Sequence, residues 1–280
     1  DGLPRAKRSL YDSGIKVPFF IRFPDGYKKG ERTKELISFV DLAPTILNWA
    51  GADIPMFMQG HIIEGPEKAK PTKYIYAAAD RFDEKHSRYK AVRSQNYKYI
   101  RNYRTDIPFY QHLDYRDNQP IMESLWEELE KGTLPKNIAA QFKPGPTEEL
   151  YDLANDPYEV NNVAKDANYM SVLTEHRLAM GDWINETGDL SAIPEPELIE
   201  QMWPGGVQPV TAPVTSEMRD GMVYLSSRTE GASIGFRING QQDWQLYFKP
   251  VAIEDGQMID TKAIRYGYKE SDITSIRVNN

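Results

Sequence analysis

Cysteine is absent from all 280 residues. That excludes a disulfide framework, a thiolate nucleophile and a Cys-ligated metal, and it leaves the cellular compartment open. No run of 18 apolar residues occurs, so no segment reads as a membrane-spanning helix. A basic surplus is missing too: 34 Lys and Arg stand against 41 Asp and Glu, a formal net charge of −7. This argues against nucleic acid as a partner, because neutralising phosphates takes a face of positive charge. An anionic small ligand stays compatible, since a local pocket can oppose the global charge. Repeats and low-complexity tracts are absent. There is no initiating Met and no signal peptide, and the start at Asp1 reads as a processed or truncated chain with further polypeptide upstream.

What is present is the balance of a soluble globular protein, 40% hydrophobic and 27% charged, long enough for one large domain or two ordinary ones. Residues 17–23 (VPFFIRF) predict a short strand closed by the turn Pro24-Asp25-Gly26. Residues 38–50 place Phe39, Leu42, Ile46 and Trp49 at helical spacing, with Ser38 to cap the helix and Gly51 to end it. A strand followed by a helix points to the edge of an α/β unit. After a loop over 52–72, strands are predicted at 73–79, 88–94, 96–103 and 149–156, with a hairpin between the second and third. Helices are predicted at 121–132 and 167–187, the longer one carrying Met170, Leu173, Leu178 and Trp183. Together, 73–187 reads as a small antiparallel sheet covered by a helix. Residues 194–213 hold five prolines and two glycines and read as a linker. Beyond them, runs about ten residues apart (MVYLSS, ASIGFRING, WQLYFKP, MIDTKAIRYG, ITSIRVN), punctuated by Asn239-Gly240 and Asp255-Gly256, predict a small β-sandwich.

The stretch KRSLYDSGIKVP sets Lys7, Arg8 and Lys16 around a turn at the mouth of the first predicted strand. Ligands of α/β proteins collect at strand ends, and a lysine there is a compact charge suited to an oxyanion. A merely solvated loop fits the same spacing. Asp80, Arg81, Asp83, Glu84 and His86 form a dense ionisable cluster that also reads as exposed loop charge. His61 reads as a surface histidine, His112 as a residue that packs or touches a sugar, and His176 as structural. Asp41 suits the dipole of the first helical turn. Arg93, Tyr97, Lys98 and Arg101 read as the polar face of the hairpin.

Four motifs resemble the sulfatase family in family order over residues 1–190. KRSLYDSGIKVPFFIRFP is similar to the segment in which a lysine precedes a Tyr-acid-small-Gly turn. SFVDLAPTILNWAG resembles the Ser-x-x-Asp-x-x-Pro-Thr helix, YKAVRSQNYKYIRN the Tyr-Lys-Tyr hairpin, and ELYDLANDPYEVNNVA the signature near the family's C-terminal end. DRFDEKHSRYKAVRS and DWINETGD resemble the heparan N-sulfatase (sulfoglucosamine sulfohydrolase) branch. TEGASIGFRINGQQDWQLYFKP and IDTKAIRYGYKES resemble the Ig-like module at the C-terminus of chitobiases and hexosaminidases.

The resemblance implies an α/β fold of the alkaline-phosphatase and sulfatase type over 1–193, in its C-terminal portion with a small antiparallel sheet and helix. A linker at 194–213 and an Ig-like β-sandwich at 214–280, acting as a spacer, would follow. It implies hydrolysis of a sulfuric ester or sulfamate on a sulfated carbohydrate, a glycosaminoglycan or an algal polysaccharide, in a periplasmic or secreted setting. It also implies a formylglycine nucleophile and a calcium ion. Here the Cys/Ser-x-Pro-x-Arg motif is missing, and the calcium ligands are expected upstream of this chain, so none is assigned and the chain alone is expected to be inactive. Lys7 takes the position of the sulfate-contacting base. The loop of Asp80, Arg81, Asp83, Glu84 and His86 takes that of a substrate-binding loop over the pocket. Two alternatives remain open: a non-catalytic binder of sulfated glycans, and a phosphatase or phosphonate hydrolase of the same superfamily.

Overall fold

In the computed structural model, residues 5–82 and 84–277 are described, and they fall into two units. One takes the described part of Asp1–Trp49 together with Gly60–Ser191, and the other takes Ala50–Gln59 and the described part of Ala192–Asn280.

The first unit opens with a one-turn helix α1 (Asp12–Ile15) and, after a 3-10 turn at Phe39–Asp41, helix α2 (Leu42–Trp49). Its centre is an antiparallel sheet of β1 (Ile75–Phe82), β2 (Lys85–Arg93), β3 (Tyr97–Asn102) and β4 (Glu148–Asp152), in the order β1-β2-β3-β4. Short helices α3 (Asp114–Asp117), α4 (Pro120–Lys131) and α5 (Lys136–Ala139) connect β3 to β4, and the long helix α6 (Met170–Thr187) follows. The two-residue period of the strands splits the sheet into two faces. Tyr89, Ala91, Ile100 and Tyr151 pack with Leu10 and Tyr11 on one face. Val92, Tyr99 and Leu150 pack with Leu173, Ala179 and Met180 of α6 on the other.

Two expectations are corrected. Residues 17–23 form no strand, and Phe20 is 89% exposed. A strand needs a neighbour to satisfy its backbone groups, and no strand among the described residues pairs with this run. In α2 and the turn before it, the apolar positions Phe39, Ile46 and Trp49 are exposed, whereas the buried positions are Asp41, Pro44 and Thr45. Asp41 accepts hydrogen bonds from the Ser38 and His61 backbone N–H groups at 2.8 and 2.9 Å. Burial here follows satisfied polar groups. Gly60 is obligatory at this point, because a side chain would collide with the Val40 carbonyl.

In the second unit, residues 194–213, expected as a linker, carry helix α7 (Glu195–Met202) and a 3-10 turn at Pro204–Gly206. Seven strands follow: β5 (Val214–Arg219), β6 (Met222–Ser227), β7 (Ser233–Ile238), β8 (Gln245–Tyr247), β9 (Val251–Ala252), β10 (Met258–Ile264) and β11 (Thr274–Arg277). They make a four-stranded sheet, β11-β10-β7-β8, and a three-stranded sheet, β5-β6-β9. Val214, Val223 and Leu225 from one sheet share a buried cluster with Ile234, Phe236, Ile259 and Ala263 from the other.

Candidate functional site

Lys7 lies in a loop pinned from several directions. The Ser9 N–H donates to the Ala6 carbonyl at 3.0 Å, and the Ser9 hydroxyl donates to the Arg5 carbonyl at 2.6 Å. The Arg5 N–H donates to the Tyr110 hydroxyl oxygen and its Nη2 to the Glu159 carbonyl, both at 2.6 Å. The Arg5 guanidinium stacks 3.6 Å from the centre of the Tyr11 ring. Gly14 in the Tyr-Asp-Ser-Gly turn permits this fold of the chain: a Cβ there would overlap the Ala6 carbonyl and Ser9.

Beneath the loop sits a buried ionic network. Asp12 is 2.5 Å from Lys98 Nζ and 3.2 Å from Arg93 Nε. Lys98, fully buried, lies 2.9 Å from Glu159 Oε1, an ion-pair contact without hydrogen-bond alignment. Glu159 Oε2 accepts from the Asp12 N–H at 2.7 Å. Burial raises the Asp12 pKa, but hydrogen bonds from Arg93 and Lys98 outweigh it and the net shift is downward. Burial dominates at Glu159, whose pKa is raised despite Lys98. Lys98 and Arg93 are therefore no solvated polar face of the hairpin. They join the N-terminal turn, β2, β3 and the Asp-Pro-x-Glu loop after β4.

On the loop's outer side is a cleft of about 50 Å³ lined by Lys7, Arg8, Asp80, Lys85, Tyr89 and Arg116 among others. The structure thus brings Lys7 and Asp80 together. Asp80 and Arg81 belong to β1, which runs past the predicted strand end, and the register shifts between Ala79 and Arg81. Such a shift re-aims a side chain, and both Asp80 carboxylate oxygens stand 3.1 Å from Lys90 Nζ. Lys90 also pairs with Asp189 at 3.2 Å, and Arg88 does so at 3.0 Å. The stretch after α6 is thereby tied to the strand that supports Asp80.

Arg81, Glu84 and His86 do not line the cleft. Glu84 is exposed and accepts from the Asp114 N–H at 2.9 Å. The His86 carbonyl accepts from Arg104 Nη1 at 3.4 Å. Asp83 lies outside the described residues. His112 stacks on Trp126, with centroids 3.9 Å apart, and meets Asp117 at 2.6 Å. His176 is buried, with its ring nitrogens on the Val172 carbonyl and the Ser94 hydroxyl, and burial lowers its pKa. Lys85, Tyr89 and Arg116 were not anticipated. Arg116 sits in FYQHLDYRD, an aromatic stretch with a single Arg, which was the one local signal for it.

Among the described residues no three His, Asp or Glu side chains converge as a metal ion requires, whereas calcium takes six to eight oxygen ligands. The described residues do not fit the implied calcium ion, and no step here is routed through it. A second, larger groove of about 710 Å³ lies between residues 12–19, 33–42 and 75–77 and is lined by Val17, Phe19, Ile37, Phe39 and Leu42 among others.

Comparison with known proteins adds the following. The family described as N-sulphoglucosamine sulphohydrolase, C-terminal, matches residues 5–148. An ulvan-active sulfatase of Formosa agariphila is 38% identical over 281 aligned positions, 98% of this chain and 47% of that protein. A second ulvan-active sulfatase of the same organism is 30% identical across 66% of this chain and 36% of its own length. An N-acetylglucosamine-6-O-sulfatase of Bacteroides thetaiotaomicron is 28% identical across 56% of this chain and 29% of its own length. The chain spans less than half the length of each of these three relatives.

Proposed function

The chain belongs to the N-sulphoglucosamine sulphohydrolase C-terminal family, and from that premise we propose that it forms one wall of the active site of a sulfuric ester or sulfamate hydrolase acting on a sulfated carbohydrate. The observation that carries the reading is the meeting of Lys7 and Asp80, far apart in sequence, in one cationic cleft. Lys7 binds the sulfate and offsets the charge that develops as the S–O or S–N bond breaks, where a fixed cation in a partly dry site is most effective. Asp80, held by Lys90, is placed to accept from a sugar hydroxyl. Arg81, Asp83, Glu84 and His86 contribute to the choice of sugar.

The finer parts of the proposal rest on resemblance. They are the heparan N-sulfatase-like branch, the formylglycine and calcium chemistry of a longer polypeptide, and a periplasmic or secreted location. The division at 194–213 and the reading of 214–280 as an Ig-like accessory sandwich belong with them. The shared core of the two sheets supports the last.

The test is sulfate release by the polypeptide extended to the length of the Formosa relative, with calcium present. Lys7→Ala is expected to lower kcat by about 100-fold, the usual scale for removing one electrostatic contact to the transition state. Undiminished turnover would remove Lys7 from the site. Retention of a sulfated oligosaccharide by the 280-residue chain, without turnover in the extended one, would favour the binding alternative.

A further inference from the structure

Two polar side chains on the wall of the Lys7 cleft are buried without a complete set of partners. Arg116 is 7% exposed and Tyr89 is 5% exposed. The Arg116 Nη2 donates to the Gln111 carbonyl, and its guanidinium lies 4.5 Å from the Tyr110 ring centre, but its Nε has no hydrogen-bond partner. The Tyr89 hydroxyl has none either. Burial raises the Tyr89 pKa to about 12, so the hydroxyl keeps its proton and remains a donor. Leaving a buried donor unpaired is costly, and leaving a buried cation without a counter-charge is more so.

The nearby carboxylates are committed elsewhere. Asp80 faces Lys90 with both oxygens. Asp117 takes His112 and Trp126 Nε1, at 2.6 and 3.2 Å. Glu84 takes the Asp114 N–H. Lys7 and Lys85 add two more cations to the same cleft. In a chain whose net charge is −7, this wall is locally positive and carries two unused donors.

We propose that Arg116 and Tyr89 form a second anion subsite beside Lys7, which takes a carboxylate or a second sulfate on the saccharide whose first sulfate Lys7 binds. The assignment rests on the sulfated-carbohydrate reading above. A guanidinium edge suits either oxyanion, and the phenol supplies a neutral second donor at fixed distance from the sheet, because its ring packs in the core on β2.

Calorimetric titration of the 280-residue chain with three probes tests this. The probes are N-acetylglucosamine 6-sulfate, a disaccharide joining that sugar to glucuronate, and N-acetylglucosamine 3,6-disulfate. The chain is expected to prefer at least one dianionic probe to the monosulfate by about 10-fold, the value of one charge-assisted contact. Whichever probe shows the gain identifies the group the subsite takes. Arg116→Gln should abolish the preference and leave monosulfate affinity within about 2-fold, and Arg116→Lys should restore part of it. Tyr89→Phe, which preserves the buried ring and therefore the fold, should reduce the preference independently. An equal preference in all three variants, or none in the parent chain, overturns the subsite while monosulfate binding keeps the sulfated-sugar reading intact. Failure of every probe to bind overturns the subsite on this chain and leaves the sulfated-sugar reading to the turnover test of the extended polypeptide.

Discussion

Lys98 has nothing in its local sequence to distinguish it from the other bases of the hairpin, yet it is fully buried between Asp12 and Glu159. Register explains this. Lys98 shares a face of the sheet with Ile100, Arg93 and Ala91, and that face is covered by the turn that carries Asp12. Three charges then meet where water is excluded, and each is tolerable only because the others are present. Lys98→Ala leaves Glu159 without a counter-charge and Asp12 with Arg93 alone. It is expected to lower unfolding free energy by about 3–5 kcal/mol, read from urea denaturation, and to increase hydrogen exchange in residues 5–15. A loss within about 0.5 kcal/mol, the range of ordinary surface substitutions, would mean that the network does not hold the Lys7 loop. Gly14 complements it sterically by removing the one Cβ that would push that loop away.

At the scale of elements, helix α6 is tied to the sheet near its middle and just past its C-terminus. Near its middle, Arg177 and Arg101 pair with Glu148 of β4, Arg177 Nε at 2.7 Å and Arg101 Nη1 at 3.2 Å. Just past its C-terminus, Asp189 takes Arg88, Lys90 and Ser191. Hydrogen bonding by Arg177 lowers the Glu148 pKa to about 2. Burial opposes ionisation at Asp189, but bonds from Ser191, Arg88 and Lys90 still bring its pKa to about 2. Both groups bind protons more weakly in the folded chain than in the unfolded one. Their stabilisation is complete above the ordinary carboxylate range and is lost as pH falls through it toward about 2. Chemical denaturation followed from neutral pH downward should show stability declining across that window, with a shallower decline in Asp189→Asn. A pH-independent stability there would mean that these pairs do not anchor α6. Position along α6 matters as well as period: Leu173 and Met180 are buried, whereas Leu178 and Met170, two of the apolar residues read along this helix, are exposed.

At the scale of the whole molecule, each unit has its own buried cluster. Ile259 is the most buried side chain of the second unit's core, and Ile259→Ala should cost about 2–5 kcal/mol through lost transfer energy and a residual cavity. Hydrogen exchange at the β7 and β10 amides reads that loss directly. Unaltered protection there would place the core of that unit elsewhere. The antiparallel strands β2 to β4, helices α4 and α6 and the β-rich C-terminal part are legible along the chain, because alternation, helical period and turn residues are local signals. The motif that carries Lys7 is legible in the same way, because it is contiguous. Which charges are buried is set by the packed fold, since it depends on which face of a strand another segment covers. The fold likewise decides that 17–23 is no strand among the described residues, because pairing is a property of two segments. The cleft required it most of all: Lys7, Asp80, Tyr89 and Arg116 come from four stretches of chain, and no spacing along a sequence reports that their side chains share one space.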